Sequence, residues 1–161
     1  MFVAFRRLIS GRMRLTSVLL AALVVTVTVS INSAGQRQKT ADEPLFSEFK
    51  GVRIGTSTEE ARKKLGSPSN KADDQDLYVD DNQVVQVYYD KAKTVSAISI
   101  DFSSGATGIP APKDVIGSEP DTKADGSAYK MVRYPKQGYW VSYSRTAGAS
   151  PTITVTIQKI D

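Results

Sequence analysis

Leu65-Gly66-Ser67-Pro68 opens the stretch of sequence that decides the fold, and Lys71-Ala72-Asp73 and Tyr78 complete it. Nearly the same signal returns as Ile116-Gly117-Ser118-Glu119-Pro120, Lys123-Ala124-Asp125 and Tyr129. The same spacing separates the two glycines and the two tyrosines, and a stretch rich in β-forming residues follows each copy. Such a repeat is typical of a doubled supersecondary unit whose copies bury one face together.

A short helix is predicted just before the first copy of this signal. Thr56 with Glu59, or Ser57 with Glu60, can form a capping box that satisfies the first free amides. Gly66 then supplies a left-handed stop. The corresponding helix of the second copy, within 112–117, is expected to be shortened to about one turn.

Alternation of apolar and polar residues predicts three strands in each copy. These strands are Leu77–Val79, Val84–Tyr89, Val95–Phe102, Tyr129–Tyr134, Tyr139–Ser144 and Thr152–Lys159. Because short turns join consecutive strands, antiparallel pairing is the simplest arrangement, in one sheet or in two abutting sheets. We therefore expect an α+β fold. Two tandem helix-plus-three-strand repeats form an antiparallel sheet with short helices on one face, preceded by an N-terminal hydrophobic helix.

Changes in composition divide the chain into five segments. They are a signal peptide or membrane anchor, a flexible tether, a first repeat, a linker and a second repeat, at 1–34, 35–45, 46–102, 103–111 and 112–161.

The N-terminal segment predicts export from the cytoplasm. Four arginines precede the uncharged run Leu15–Ile31, and Ser33-Ala34-Gly35 offers small residues for a signal peptidase. The run is also close to the minimum length of a transmembrane helix, so a cleaved signal and a retained anchor both remain open. In either case the positive-inside rule places the rest of the chain outside the cytoplasm, in the periplasm or secreted.

The amino-acid composition excludes several kinds of catalysis and binding. The chain has no cysteine and no histidine, which excludes disulfides and thiol catalysis and removes the commonest general base and metal ligand. Without the N-terminal arginines, basic and acidic side chains are equal in number, which argues against nucleic-acid binding. No nucleotide-binding motif occurs. We expect a protein that is not an enzyme and has no cofactor.

A family resemblance rests on Gly51-Val52-Arg53-Ile54-Gly55-Thr56-Ser57, Glu59-Glu60-Ala61 and Leu65-Gly66-Ser67-Pro68. This run resembles the glycine start, capped helix and Leu-Gly-x-Pro of the BamE-like small outer-membrane lipoproteins. The doubling resembles the tandem units of the beta-lactamase inhibitor protein family. The resemblance implies an α+β fold and a non-enzymatic role in protein binding or envelope assembly. The lipidated cysteine of the lipoproteins and the disulfides of the inhibitor are absent here.

Alignment of the two copies predicts a binding surface. It places Val85, Val87 and Tyr89 on the same face as Tyr139, Val141 and Tyr143, and that face is expected to be core. The opposite face then carries Gln86, Tyr88, Trp140 and Ser142. An aromatic side chain on a wet sheet face can anchor a partner. The alternative is that a helix or loop of the same chain covers Trp140.

Two further features receive structural interpretations. Asp73, Asp74, Asp76, Asp80 and Asp81 form a local acidic cluster that could hold calcium or meet a basic partner, and polar turns explain it better. The repeat-equivalent Tyr78 and Tyr129 are expected to be packing residues.

The sequence thus predicts a non-enzymatic exported binding module that presents a sheet face or loops to a protein partner in the cell envelope. The alternative is a membrane-anchored accessory subunit of a membrane protein complex, held by residues 15–31.

Overall fold

Alternating apolar and polar residues build the longer β-strands, which make up most of the regular secondary structure in the described part of the chain. The structure is a computed structural model, and it describes residues 43–160. The predicted signal or anchor, its cleavage site and most of the tether lie outside the described residues. The described residues belong to one compact unit.

Eight strands and two short helices make up the fold. In chain order they are α1 (Thr58–Leu65), β1 (Asn70–Lys71), β2 (Gln75–Asp80), β3 (Gln83–Tyr89), β4 (Val95–Phe102), α2 (Pro112–Ile116), β5 (Asp121–Thr122), β6 (Ala128–Tyr134), β7 (Tyr139–Arg145) and β8 (Ile153–Lys159). All eight strands form one antiparallel sheet in the order β1-β2-β3-β4-β8-β7-β6-β5.

The predicted pair of helix-plus-three-strand repeats is wrong. The molecule is mostly an eight-stranded antiparallel sheet, and its two helices have only eight and five residues. The sequence missed β1 and β5, because each has two residues and is too short to show alternation. These short strands lie at the two edges of the sheet.

One face of the sheet carries the core, and we call it the core face. Apolar side chains from the longer strands alternate onto it, and Ala61 of α1 and Val115 and Ile116 of α2 pack into the same cluster. Its fully buried side chains include Ile98, Ile100, Ile157, Val87, Val141 and Val155. Burial of each such side chain stabilises the fold by about 1.5–3 kcal/mol. Both helices therefore lie on the core face.

The start of α1 is fixed by a side-chain cap. The Ser57 hydroxyl accepts a hydrogen bond from the Glu60 amide at 3.3 Å, so of the two predicted caps the Ser57 cap forms. Thr56 does not cap the helix, because its hydroxyl accepts from the Arg53 amide at 3.1 Å. Gly66 ends the helix with a φ of +87°, a conformation that favours glycine.

A buried carboxylate ties α1 to the sheet. Asp76 of β2 is 0% exposed, and Arg62 donates to its two oxygens from Nε at 2.7 Å and from Nη2 at 2.8 Å. The Tyr89 hydroxyl donates to the same carboxylate at 2.7 Å. The Arg62 guanidinium also lies over the Tyr89 ring, 5.8 Å from its centroid. We call Arg62, Asp76 and Tyr89 the carboxylate clamp.

The clamp sets the charge of its members. Burial raises the pKa of Asp76, but the hydrogen bonds from Arg62 and Tyr89 outweigh it, so the net pKa lies below the usual value. Burial and the neighbouring carboxylate raise the pKa of Tyr89, which stays protonated and donates. Arg62 and Asp76 therefore form a charged, bidentate pair, the strong form of this interaction.

We expect Asp76→Asn to lower the free energy of unfolding by about 3 kcal/mol at neutral pH, because it leaves the Arg62 guanidinium without its counter-charge. Since the folded pKa of Asp76 is depressed, its stabilisation is complete above the unfolded value of about 3.9 and is lost as pH falls through the folded pKa. Urea unfolding at several pH values measures both effects.

The exposed neighbour Asp74→Asn is the matched control and should change stability little. Equal stability of the two variants, or a difference between Asp76→Asn and wild type that does not shrink on acidification, would contradict the role of the clamp.

Candidate functional site

The face of the sheet opposite the core is exposed along its outer strands, and we call it the open face. Small side chains occupy it on the two central strands, with Ala97 and Ser99 on β4 and Thr156 on β8. Larger side chains occupy it on the strands to either side. Both helices pack on the core face, so within residues 43–160 no helix covers the open face. The open face is therefore concave, with its lowest part over the central strands β4 and β8.

Strand register brings the open-face residues into rows across the sheet. One row runs from β2 to β6 through Gln75, Tyr88, Ala97, Gln158, Trp140 and Arg133. The next row runs through Leu77, Gln86, Ser99, Thr156, Ser142 and Met131. The four predicted site residues thus belong to two neighbouring rows, with β4 and β8 between the two pairs.

The centre of the open face holds a depression of about 580 Å³, which we call the trough. Tyr88 lies at one wall and Trp140 at the other, and the remaining lining residues are Ser96, Ala97, Ser99, Thr156, Gln158 and Lys159. An irregularity in the β3–β4 register places Tyr88 opposite Ala97 and Tyr89 opposite Val95, so Ser96 is an extra residue in β4. Such a bulge bends its strand and re-aims neighbouring side chains.

Hydrogen bonds hold the polar side chains of the open face in place. The Tyr88 hydroxyl donates to Gln86 Oε1 at 2.8 Å, and Gln75 Nε2 donates to the same oxygen at 3.1 Å. The Thr154 hydroxyl donates to Asp101 Oδ1 at 2.6 Å. Lys159 lies 3.3 Å from the Asp90 carboxylate. Because these side chains are already held by hydrogen bonds, they would lose little conformational entropy when a partner binds.

The structure separates the predicted site residues by accessibility. Tyr88, Gln86 and Trp140 are partly exposed, whereas Ser142 is only 6% exposed and offers little surface to a partner. The predicted core positions Val85, Val87, Tyr89, Tyr139, Val141 and Tyr143 are all buried. Tyr88 and Trp140 are consequently the two aromatic side chains that a partner in the trough would meet.

Sequence reasoning missed the contribution of β6 to the open face. Tyr129 is 55% exposed and Met131 is 38% exposed, and Arg133 follows them on the same side. The repeat equated Tyr129 with Tyr78, but Tyr78 packs against the core whereas Tyr129 lies on the open face. The prediction that Tyr129 is a packing residue is therefore wrong. Apolar residues occur on both sides of β6, with Val132 and Tyr134 opposite Tyr129 and Met131, so alternation alone does not assign its faces.

The five aspartates of the acidic cluster do not come together in space. Asp76 turns into the core, whereas Asp73 and Asp74 precede β2 and Asp80 and Asp81 follow its other end. The length of β2 separates the two ends by roughly 20 Å. In the part of the chain that the structure describes, no group of three or more acidic side chains could hold a metal ion. Residues 43–160 also contain no helix that is long and apolar enough to cross a membrane.

The trough combines two aromatic rings with hydroxyl groups, one amide and the ammonium group of Lys159. Aromatic side chains, methionine and arginine are enriched at protein interfaces. In the rows, Arg133 lies directly beside Trp140, and Met131 lies beside Ser142 in the neighbouring row. The open face therefore has the composition of a contact surface.

Comparisons of the chain with family models, curated proteins and solved structures found no match. The resemblance to BamE-like lipoproteins and to the inhibitor family stays a prediction.

Adjacent residues on β7 test the assignment of the faces. We expect Val141→Ala to lower the free energy of unfolding by about 2 kcal/mol, because it leaves a cavity in the core. We expect Trp140→Ala to cost less than Val141→Ala, although it removes more atoms, because Trp140 is partly exposed on the open face. Chemical denaturation followed by circular dichroism measures both. A larger cost for Trp140→Ala would mean that the indole packs as core.

Proposed function

We propose that this protein is an exported, non-enzymatic binding module that presents its open face to a protein partner in the cell envelope. The observation that carries the proposal is the pairing of Tyr88 and Trp140 at opposite walls of a trough with a floor of small side chains. Tryptophan and tyrosine are among the residues that most often dominate binding energy at protein interfaces.

The size of the open face supports a macromolecular partner. Six strands about 4.8 Å apart, each with three open-face residues, cover about 600 Å². A stable interface buries about 800 Å² on each partner. The trough alone is too small for such an interface, so the partner would extend across the open face and beyond one of its edges. Exposed Tyr129 and Met131 continue the apolar surface toward β6.

The N-terminal sequence supports the location of the partner. The arginine-rich flank and the run Leu15–Ile31 favour export, and the resemblance to envelope proteins agrees with that location. The same run, if retained in the mature protein, favours the alternative of a membrane-anchored accessory subunit.

Site-specific photocrosslinking in cells that make the protein tests the binding surface. With a photoreactive amino acid in place of Tyr88, we expect a discrete covalent adduct with one protein. Adding Trp140→Ala should reduce its yield by about tenfold, as expected for loss of an interface hot spot.

The control position is Lys63, which is exposed on α1, a helix that packs on the core face. A photoreactive residue at Lys63 should give no such adduct. Equal adducts from both positions, or no adduct from Tyr88 when expression is confirmed, would overturn the proposed surface.

N-terminal sequencing of the protein purified from its native host distinguishes the two forms of the proposal. A mature chain that begins after Ser33 or Gly35 identifies the segment before it as a cleaved signal. A chain that begins at Met1 and remains with the membrane after a carbonate wash supports the anchored subunit. Recovery of an intact chain from the cytoplasm would contradict both forms.

A further inference from the structure

The two outer edges of the sheet differ in a way that points to a second contact surface. Each half of the sheet ends in a short edge strand, β1 beside β2 and β5 beside β6. An unpaired strand edge exposes backbone donors and acceptors that can pair with another chain. The edge of β2 is closed along most of its length, whereas half of the edge of β6 is open.

Three contacts close the edge of β2. Asn70 of β1 pairs with Leu77, the Ala72 amide donates to the Gln75 carbonyl at 2.8 Å, and the Val79 amide donates to the Ser69 hydroxyl at 3.1 Å. Backbone or side-chain groups therefore meet this edge at each outward-facing residue from Gln75 to Val79.

The edge of β6 is covered only at its beginning. β5 pairs with Ala128 and Tyr129 and extends no further. The Lys123 amide donates to the Ser127 carbonyl at 2.8 Å, so the backbone of Ser127 points toward the outer edge. Because backbone groups alternate along a strand, the N–H and C=O groups of Met131 and Arg133 point to the same edge. Within residues 43–160 no hydrogen bond reaches them from that side.

The uncovered half of this edge carries two cations, whereas the half that β5 covers carries Asp121 opposite Tyr129. Lys130 precedes Met131 on the core side of β6, and Arg133 follows it on the open face. Among residues 43–160 neither cation has an ion-pair partner. Pairing of this edge with a second copy of the chain would bring four cations into one short ribbon, which disfavours self-association. An acidic strand would instead meet complementary charge.

We propose that the outer edge of β6 binds an extended, acidic peptide segment of a partner protein by strand addition. The segment pairs with the free backbone groups of Met131 and Arg133, and its carboxylates, which share one side of the segment, lie beside Arg133 on the open face. Main-chain hydrogen bonds supply affinity in this mode of recognition, and the flanking side chains supply specificity. This inference rests on the edge alone and does not require that the trough be occupied.

Two synthetic peptides of about seven residues test the proposal, one alternating valine with glutamate and one alternating valine with lysine. Amide hydrogen exchange of the full chain, followed residue by residue by NMR, is the measurement. We expect the acidic peptide to slow exchange at Met131 and Arg133 by about tenfold at saturation and to leave the Val79 amide unchanged. The lysine peptide should have no effect, and added salt should weaken the acidic peptide.

Variants make the test specific. Lys130→Glu with Arg133→Glu should reverse the preference, so that the lysine peptide now protects the edge. Met131→Pro removes an outward amide without removing a bond to β7, and it should abolish protection by either peptide. Slow exchange in β4 and β8 confirms that each variant is folded.

Three results would overturn the proposal. They are equal protection by both peptides, protection by neither, and protection that rises with protein concentration in the absence of peptide, which would identify a second copy as the occupant. Tyr88→Ala, on the wall of the trough that β4, β8 and β7 separate from β6, should leave the peptide effect intact. Loss of the trough contact and loss of the edge contact are thereby measured separately.

Discussion

The pairing of β4 with β8 is the interaction on which the rest of the structure depends. It joins the two halves of the chain through a ladder from Ala97 opposite Gln158 to Phe102 opposite Ile153. On the core face this ladder contributes Ile98, Ile100 and Ile157, all fully buried. On the open face the same two strands carry only small or unbranched polar side chains along the floor of the trough. One pair of strands therefore supplies both the centre of the core and the depression on the opposite surface.

The sequence was informative where a pattern was long enough to be read. Alternation located the six longer strands to within two residues and correctly assigned the core faces of β3 and β7. In both strands valine and tyrosine recur at every second position, as Val85-Val87-Tyr89 and Tyr139-Val141-Tyr143, and these residues are buried. It failed for the two-residue strands β1 and β5, which have no period, and for β6, which carries apolar residues on both sides. The predicted fold of two helix-plus-three-strand repeats was consequently wrong, because the described residues form mostly one eight-stranded antiparallel sheet with two short helices.

The candidate site was predictable in part. Tyr88 and Trp140 follow from the alternation of β3 and β7, but their positions on opposite walls depend on β8 lying between β4 and β7. No local pattern shows that long-range pairing. The burial of Asp76 could not be predicted for a similar reason. Its partner Arg62 lies 14 residues earlier on α1, and its partner Tyr89 lies 13 residues later on β3. Its neighbours Asp73 and Asp74 look the same in sequence and lie at the surface.

The position of β8 also has a consequence for the timing of folding. β8 is the last strand of the sheet along the chain, yet it lies at the centre. Until β8 has been synthesised, β4 and β7 each lack a strand to pair with on one side. The apolar residues of the two halves then have no common core. Contacts between distant parts of a chain form slowly, because the entropy of closing the loop between them is lost before the contacts can stabilise the fold. A chain with this topology has no complete core until β8 has been made. It would then fold in one step when its final strand arrives.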